Sequence, residues 1–489
     1  MTEPPNSSDE RAQPPGRAGP SGEGNLSPLE RVLRLVTDVR PGEGAPVVAL
    51  TASLFLLLTS YYLLKVSREP LILRSGAELK SYAGVFQAGI AIVVIQIYSA
   101  FAAKVDRLRL VTGALLFFLT NLVAFAALAS ANAPIGLPFY LWVGIFNYMS
   151  IAQVWALSAD IYTEEQGKRL FPMVGMGSAL GAVAGSYFAK LLLKPPFGLP
   201  PSGPGVLMAT SAALLIACVL LLRLAYRLKL ERDGDPASQP APKPAKGEAG
   251  EADKAEQAGK GSKAGGFVLI ARDGYLLLVA AMTLLLNWVN SNGEYMFDRT
   301  LVAGAAERAA ALGVTVDVVV GRSKADFFLL VNLLGIVLQT FVVSRFLKRF
   351  GVRKAIFVMP LFSFGGSLGI LLAPVLYVIW AAKTAENGLD YSLQNTARRA
   401  LFLPLSSEAK YKAQSAIDTF VVRFGDVLSA SAVFVGTKLD VLSASAVFVG
   451  TKLALEVRHF AALNLVLVSS WLAVAFFLAR RHQERSAEA

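Results

Sequence analysis

The stretch YVIWAAKTAENGLDYSLQNTARR, from Tyr377 to Arg399, sets charged and amide side chains inside an apolar run. Lys383 lies nine residues past Pro374, which at about 1.5 Å per residue is about 13 Å below a membrane surface, near the midplane of a roughly 30 Å hydrocarbon layer. Glu386, Asn387, Asp390 and Gln394 follow Lys383 at offsets of three, four, seven and eleven residues, so an α-helix carries them all on one face. A charge at that depth costs roughly 2.5 to 3.5 kcal/mol on insertion scales. The stripe therefore faces a cavity or another helix. It either contacts a solute or locks the bundle through an internal Lys383–Glu386 pair.

Two other apolar runs end in the same chemistry. One carries Lys65, Arg68 and Glu69; the other carries Asn287, Asn290, Asn292, Glu294, Asp298 and Arg299, with Gly293 loosening the backbone beside the Glu294 carboxylate. A third run holds Asn147, Ser150, Gln153, Ser158 and Asp160 without an intramembrane cation. Cations, carboxylates and amides around one cavity suit a polar or anionic solute, although an isolated Asn also serves as glue between helices.

Other chemistries are excluded by residue type and spacing. Gly175, Gly177 and Gly181 miss the dinucleotide fingerprint because the last glycine comes one residue late and no βαβ unit surrounds them. Gly177, Gly181 and Gly185 instead recur every four residues, the pattern of close helix packing. AGKGSK near Lys260 lacks the upstream glycine and the Ser or Thr of a phosphate loop. Cys218 is the sole cysteine, and the two histidines, His459 and His482, lie near the C-terminal end. No enzyme activity, cofactor or metal site is expected.

The elements that position these groups follow from composition. Of 489 residues, 54% are hydrophobic and 17% charged, with a mean hydropathy of +0.51. Twelve spans of about 20 residues would use about 240 residues, a demand this composition meets. Apolar runs lie near 46–65, 81–103, 109–131, 136–158, 171–193 and 205–226, then near 274–296, 325–347, 354–373, 375–397, 414–439 and 459–480. The expected fold is an all-α polytopic membrane protein of about 12 transmembrane helices in two six-helix halves, the major-facilitator-like plan. Residues 1–44 read as a disordered cytoplasmic tail, 45–230 as the N-terminal half, 231–266 as a flexible cytoplasmic linker, 267–480 as the C-terminal half and 481–489 as a second cytoplasmic tail.

Basic short loops at Lys104 to Arg109, Gly167 to Arg169, Leu347 to Lys354 and Ala397 to Arg399 face uncharged loops such as Ser130 to Gly136. The positive-inside rule puts both termini in the cytoplasm of a multi-pass protein of the bacterial inner membrane. It also accounts for the net charge of +12 without nucleic acid. DVLSASAVFVGTKL occurs at Asp426–Leu439 and again, unchanged, at Asp440–Leu453. The second copy reads as a recent insertion or a sequence error that would lengthen helix 11 by about 21 Å.

Three stretches resemble a known family. YYLLKVSREPLIL (Tyr61–Leu73), EEQGKRLFPMVGMGSALG (Glu164–Gly181) and YSLQNTARRALFLPLSSEAKYKAQSAID (Tyr391–Asp418) are similar to segments of the ATP/ADP translocases of plastids and intracellular bacteria, the nucleotide triphosphate/diphosphate exchangers. The resemblance runs from about residue 45 to about residue 480. It implies that Arg68 stands at a substrate-binding cation, Glu294 at an essential carboxylate of helix 7, and Lys410 or Lys412 at a basic position before helix 11. The chain departs from the family at Val143 to Asn147, which holds no carboxylate, and at Gln414, where the family has a Lys.

The expected function is exchange of nucleotides of the ATP/ADP class, or related phosphorylated anions, by alternating access. The alternative is a proton-coupled major-facilitator carrier of another small metabolite or drug. The candidate substrate-binding residues are Lys65, Arg68, Glu294, Lys383, Glu386, Asp390, Arg399, Lys410 and Lys412. The expected partners are an anionic small molecule and the lipid bilayer, with the protein a monomer.

Overall fold

The computed structural model describes residues 26–102, 106–194, 203–233, 266–442 and 449–488, and all regular structure among them is helical. Within hydrocarbon the backbone must satisfy its own polar groups, and long Leu-, Ala- and Val-rich runs do so as helices. A short α1 (Pro28–Leu33) precedes six long helices: α2 (Gly44–Leu73), α3 (Ala77–Ala102), α4 (Arg107–Ser130), α5 (Gly136–Ile161), α6 (Glu164–Leu192) and α7 (Gly203–Asp233). The second half begins with the short α8 (Gly266–Arg272) and continues with α9 (Gly274–Ala303), α10 (Ala305–Leu312), α11 (Val316–Val337), α12 (Ser344–Leu372), α13 (Leu376–Leu389), α14 (Asn395–Ala400), α15 (Ser407–Ala416), α16 (Val422–Leu442) and α17 (Val449–Glu488). π-Helical turns at Leu338–Val343, Asp390–Gln394 and Ile417–Val421 join α11 to α12, α13 to α14 and α15 to α16. Gly351, at φ +73° and ψ 171°, divides α12 at the basic loop, because few residues other than glycine adopt that backbone. Among the described residues each half thus contributes six long rods, and eight helical stretches are long and apolar enough to cross a membrane.

The bundle has a terminal end, where α2 starts and α17 finishes, and a far end opposite it. α2 is buried almost all round and forms the centre of the first half. The glycine stripe of α6 is why it packs so closely there. A Cβ on Gly177, Gly181 or Gly185 would lie 2.7, 2.4 or 2.6 Å from the carbonyl oxygens of Thr51, Phe55 and Thr59. One apolar core joins the first half to the far ends of α9 and α11. A second core fills the terminal end of the second half.

Two boundaries differ from those expected. Residues 1–25 of the anticipated tail lie outside the described residues, but α1 is capped by Ser27 and leads into an anchored strap. Glu30 accepts the Gly42 N–H at 2.6 Å, and Glu43 takes two hydrogen bonds from Arg169, each 3.0 Å. At the other terminus α17 runs to Glu488 because Arg485 grips both oxygens of Asp273, at 2.8 and 2.7 Å, and buried His482 meets the Tyr275 hydroxyl at 2.9 Å. The anticipated linker lies outside the described residues from 234 to 265, with α7 reaching Asp233 and α8 starting at Gly266. Residues 443–448 of the second 14-residue copy also lie outside them.

Candidate functional site

The central helices α2 and α9 carry their charged residues near the far end, and a cavity of about 330 Å³ lies between the halves. Lys65 and Arg68 reach it from consecutive turns of α2, Glu294 and Asp298 from α9, Lys80 from α3, and Arg423 and Asp426 from α16. Four cations thus face three carboxylates. Tyr61, Tyr140, Tyr148, Tyr295 and Tyr391 complete much of the wall, with Asn147, Asn287 and Asn290 between them.

Most of these charges already have counter-ions. The Arg68 guanidinium lies 4.5 Å from the Tyr140 ring centre and 3.2 Å from the Glu69 carboxylate. Arg423 pairs with Asp426 at 3.2 Å and donates to the Tyr148 hydroxyl across the seam between the halves. Lys65 differs. Its ammonium sits 4.2 Å from the Phe328 ring centre and 5.1 Å from that of Tyr62, with no carboxylate within 4 Å among the described residues. Glu294 likewise has no cation within that distance among them.

At the far end of the cavity lies a buried quartet, whose Lys80 and Asp298 belong to the lining and whose Glu69 and Lys324 stand behind it. Lys80 bridges Glu69 and Asp298, each at 2.6 Å. Lys324 of α11 pairs with Asp298 and lies 3.6 Å from Glu69. Two of these bridges, Lys80–Asp298 and Lys324–Glu69, cross the seam. The other two, Lys80–Glu69 and Lys324–Asp298, stay within one half, so separating the halves leaves each with a neutral pair of its own. Further contacts close the far end: Arg74 with Asp317, Lys190 with Asp326 at 2.6 Å, Glu78 with Arg299 at 3.6 Å, and Tyr62 donating to the Asn332 carboxamide oxygen at 3.0 Å. Among the described residues every ion pair that crosses the seam is at this end.

Of the residues singled out from sequence, Lys65, Arg68 and Glu294 line the cavity. Lys383 and Glu386 do not. The Lys383 side chain is 1% exposed, and its ammonium lies 3.1 Å from Glu386 and donates to Asn290 Oδ1 at 2.7 Å and the Asn290 carbonyl at 3.1 Å. It has room because Gly293 faces it, where a Cβ would stand 2.7 Å from Lys383 Cδ. Asp390 opens a π-helical turn, which inserts an extra residue and rotates the next turns of the chain off the α-helical stripe. Buried Gln394, at the end of that turn, makes no side-chain hydrogen bond. Arg399 is exposed and donates to Asn395 at 3.4 Å. Lys410 and Lys412, on α15, are also away from the cavity lining.

Lys80, Lys324, Arg423 and Asp426 were not singled out from sequence. Lys80 and Lys324 each stand one residue before an apolar run, where a lysine reads as a water-side flank. The signal for them was indirect: Glu69 and Asp298, near the same depth of the two central helices, each needed a cation. Arg423 and Asp426 fall inside the anticipated span 414–439, three residues apart on one helix face.

No family model matches the chain, and no curated protein matches it in sequence. Its fold has many solved likenesses. A bacterial homologue of the human lysosomal transporter Spinster, inward-facing and unoccupied, superimposes with a TM-score of 0.56 at 15% identity, over 92% of this chain and 99% of that one. An auto-inhibited POT family peptide transporter gives 0.59 at 12% identity, covering 89% and 97%. The nucleoside transporter NupG gives 0.56 at 14% identity, covering 88% and 98%. With the twelve rods and the two-half plan, these likenesses show an all-helical, polytopic membrane protein of the major-facilitator type of fold.

Proposed function

We propose that the protein is an alternating-access carrier of a small organic anion, of the nucleotide or related phosphorylated class, working by exchange in a bacterial inner membrane with both termini cytoplasmic. The observation that carries this reading is Lys65, a cavity-facing ammonium cushioned by rings and without a carboxylate within 4 Å among the described residues. An anion entering the cavity supplies the missing counter-charge, and the adjacent Arg68 adds a planar donor suited to phosphate or carboxylate oxygens. Tyrosine faces offer a planar group surfaces to stack on. The quartet fits such a cycle, since a carrier must open the far end without stranding charge in a medium of low dielectric.

Counterflow in proteoliposomes tests the proposal. External labelled ATP, ADP or phosphate should enter faster when nucleotide is present inside, and Lys65→Ala should weaken uptake. No uptake of any of these anions by wild-type protein would overturn it. A second reading, proton-coupled carriage of another metabolite, is favoured by Glu294, a cavity carboxylate with no cation within 4 Å among the described residues. It requires that an imposed pH gradient drive uptake and that Glu294→Gln abolish the drive.

A further inference from the structure

The wall that α9 and α16 present to the cavity has its hydrogen-bond polarity fixed from behind. Lys383 has only donors on its ammonium, so the atom of the Asn290 side chain it touches at 2.7 Å is the oxygen. Asn290 lines the cavity, and its amide NH2 is turned away from Lys383 as a donor. Lys383 is itself held in place by Glu386 at 3.1 Å, by the Asn290 carbonyl at 3.1 Å and by the space over Gly293.

Neighbouring hydroxyls are committed in the opposite sense. Ser291 donates its proton to Asp426 Oδ1 at 2.8 Å. Ser429 donates to Asn292 Oδ1 at 2.7 Å, and Asn292 donates in turn to Asn464 at 2.9 Å. Both serines line the cavity, and with their protons spent they offer it acceptors only. The wall thus pairs one oriented donor with two acceptors, facing Lys65 and Arg68 of α2.

We propose that Asn290, oriented by Lys383, is a specificity-determining residue that reads the hydrogen-bonding edge of the solute, a planar group carrying an acceptor beside a donor, as a nucleobase or an amide does. Lys383 is a positioning residue: it touches Asn290 and not the solute. This rests on the anion-carrier reading and adds that the anion bears such an edge, so that a bare polyphosphate is distinguished from a nucleotide here and nowhere on the cationic side.

The test compares binding of ADP and of pyrophosphate to purified full-length protein. Wild-type protein should bind both. Asn290→Ala should weaken ADP by about tenfold, the order expected for one lost hydrogen bond with its partner left unpaired, and leave pyrophosphate unchanged. Lys383→Met should reproduce the selective loss by freeing the carboxamide to turn. Where that single change destabilises the bundle, Lys383→Met with Glu386→Gln keeps the site neutral and should show the same ratio. Equal losses for ADP and pyrophosphate in the Lys383 variants would make it a direct anion contact or a purely structural pair and overturn the inference. Undiminished ADP binding by Asn290→Ala would overturn it while leaving the anion-carrier reading intact. Absence of binding of either probe to wild-type protein overturns both.

Discussion

Two double substitutions of the buried quartet carry the same net charge and should leave the far end unequally free to open. Glu69→Gln with Lys80→Met removes the first half's own pair and both bridges across the seam, leaving Lys324 with Asp298 inside the second half. A hydrogen bond to a charged group contributes about 1.5 to 3 kcal/mol. Losing the two crossing bridges therefore favours far-end opening by at least about 3 kcal/mol, or roughly a hundredfold in population. Lys80→Met with Asp298→Asn instead leaves Lys324 facing only Glu69, 3.6 Å away on the other half. Opening then strands Lys324, while Glu69 keeps Arg68 at 3.2 Å. Breaking a buried pair in this way costs about 3 to 5 kcal/mol, a cost the first double does not carry, so the open population of the second double should lie roughly a hundredfold or more below that of the first. Spin labels at Ser75→Cys and Leu312→Cys, on exposed far-end positions of the two halves and with Cys218→Ala, report the opening as a distance distribution in nanodiscs. The first double should populate a longer distance; the second should keep the short one. Equal open populations in the two doubles would refute the argument that each half keeps its own neutral pair.

Arg68→Ala should raise the half-saturation concentration for a phosphorylated anion at least about tenfold, whereas Arg74→Ala, which loses only the exposed bridge to Asp317, should change it by less than about threefold in the same uptake assay. At the terminal end, burial by itself would raise the Glu43 carboxyl. The hydrogen bonds from Arg169 and the Arg40 N–H, with the charges of Arg169 and Arg232, outweigh that and hold it below its ordinary value of about 4.5. The stabilisation is thus complete above pH 4.5 and is lost as pH falls through the depressed value. Glu43→Gln should accordingly lower the melting temperature in detergent at pH 7, by a gap that shrinks below pH 4.5. Gly181→Val should destabilise the first half by about 1 to 3 kcal/mol or more in denaturant titrations, since its Cβ would stand 2.4 Å from the Phe55 carbonyl oxygen.

Helix number and order were legible because a spanning segment has to be long and apolar, and that is a property of a window of sequence, not of its surroundings. The α6 stripe was legible for a similar reason, since glycines at a spacing of four share one face whatever they meet. The same local logic failed at the chain ends. Glu30 and Glu43 make residues 26–43 a fixed strap through groups as distant as Arg169 and Arg232, and a reading of residues 1–44 by their overall content of Pro, Gly, Ser and Glu does not see those partners. It failed again at Asp390, where a π-helical turn broke the register on which the single-faced stripe from Lys383 to Gln394 depended.

The site was legible only where a charge interrupts an apolar run, and such interruptions do not say which charges are available to a solute. Lys383 and Lys65 look alike in sequence, each a lysine set in or against an apolar run. What separates them is a partner set built from distant elements. Lys383 has a carboxylate one turn away and two oxygens of Asn290, and its charge is spent inside the wall. Lys65 has a carboxylate four residues on in Glu69, but that acid points to Lys80, Lys324 and Arg68. The quartet thus does more than close the far end. By occupying Glu69 it leaves Lys65 without a carboxylate partner among the described residues, so the same acid that balances the latch keeps an unspent cation in the cavity. Neutralising Glu69 alone should therefore disturb opening while leaving the attraction of Lys65 for an anion in place, and loss of both together would mean that Lys65 relies on Glu69 after all.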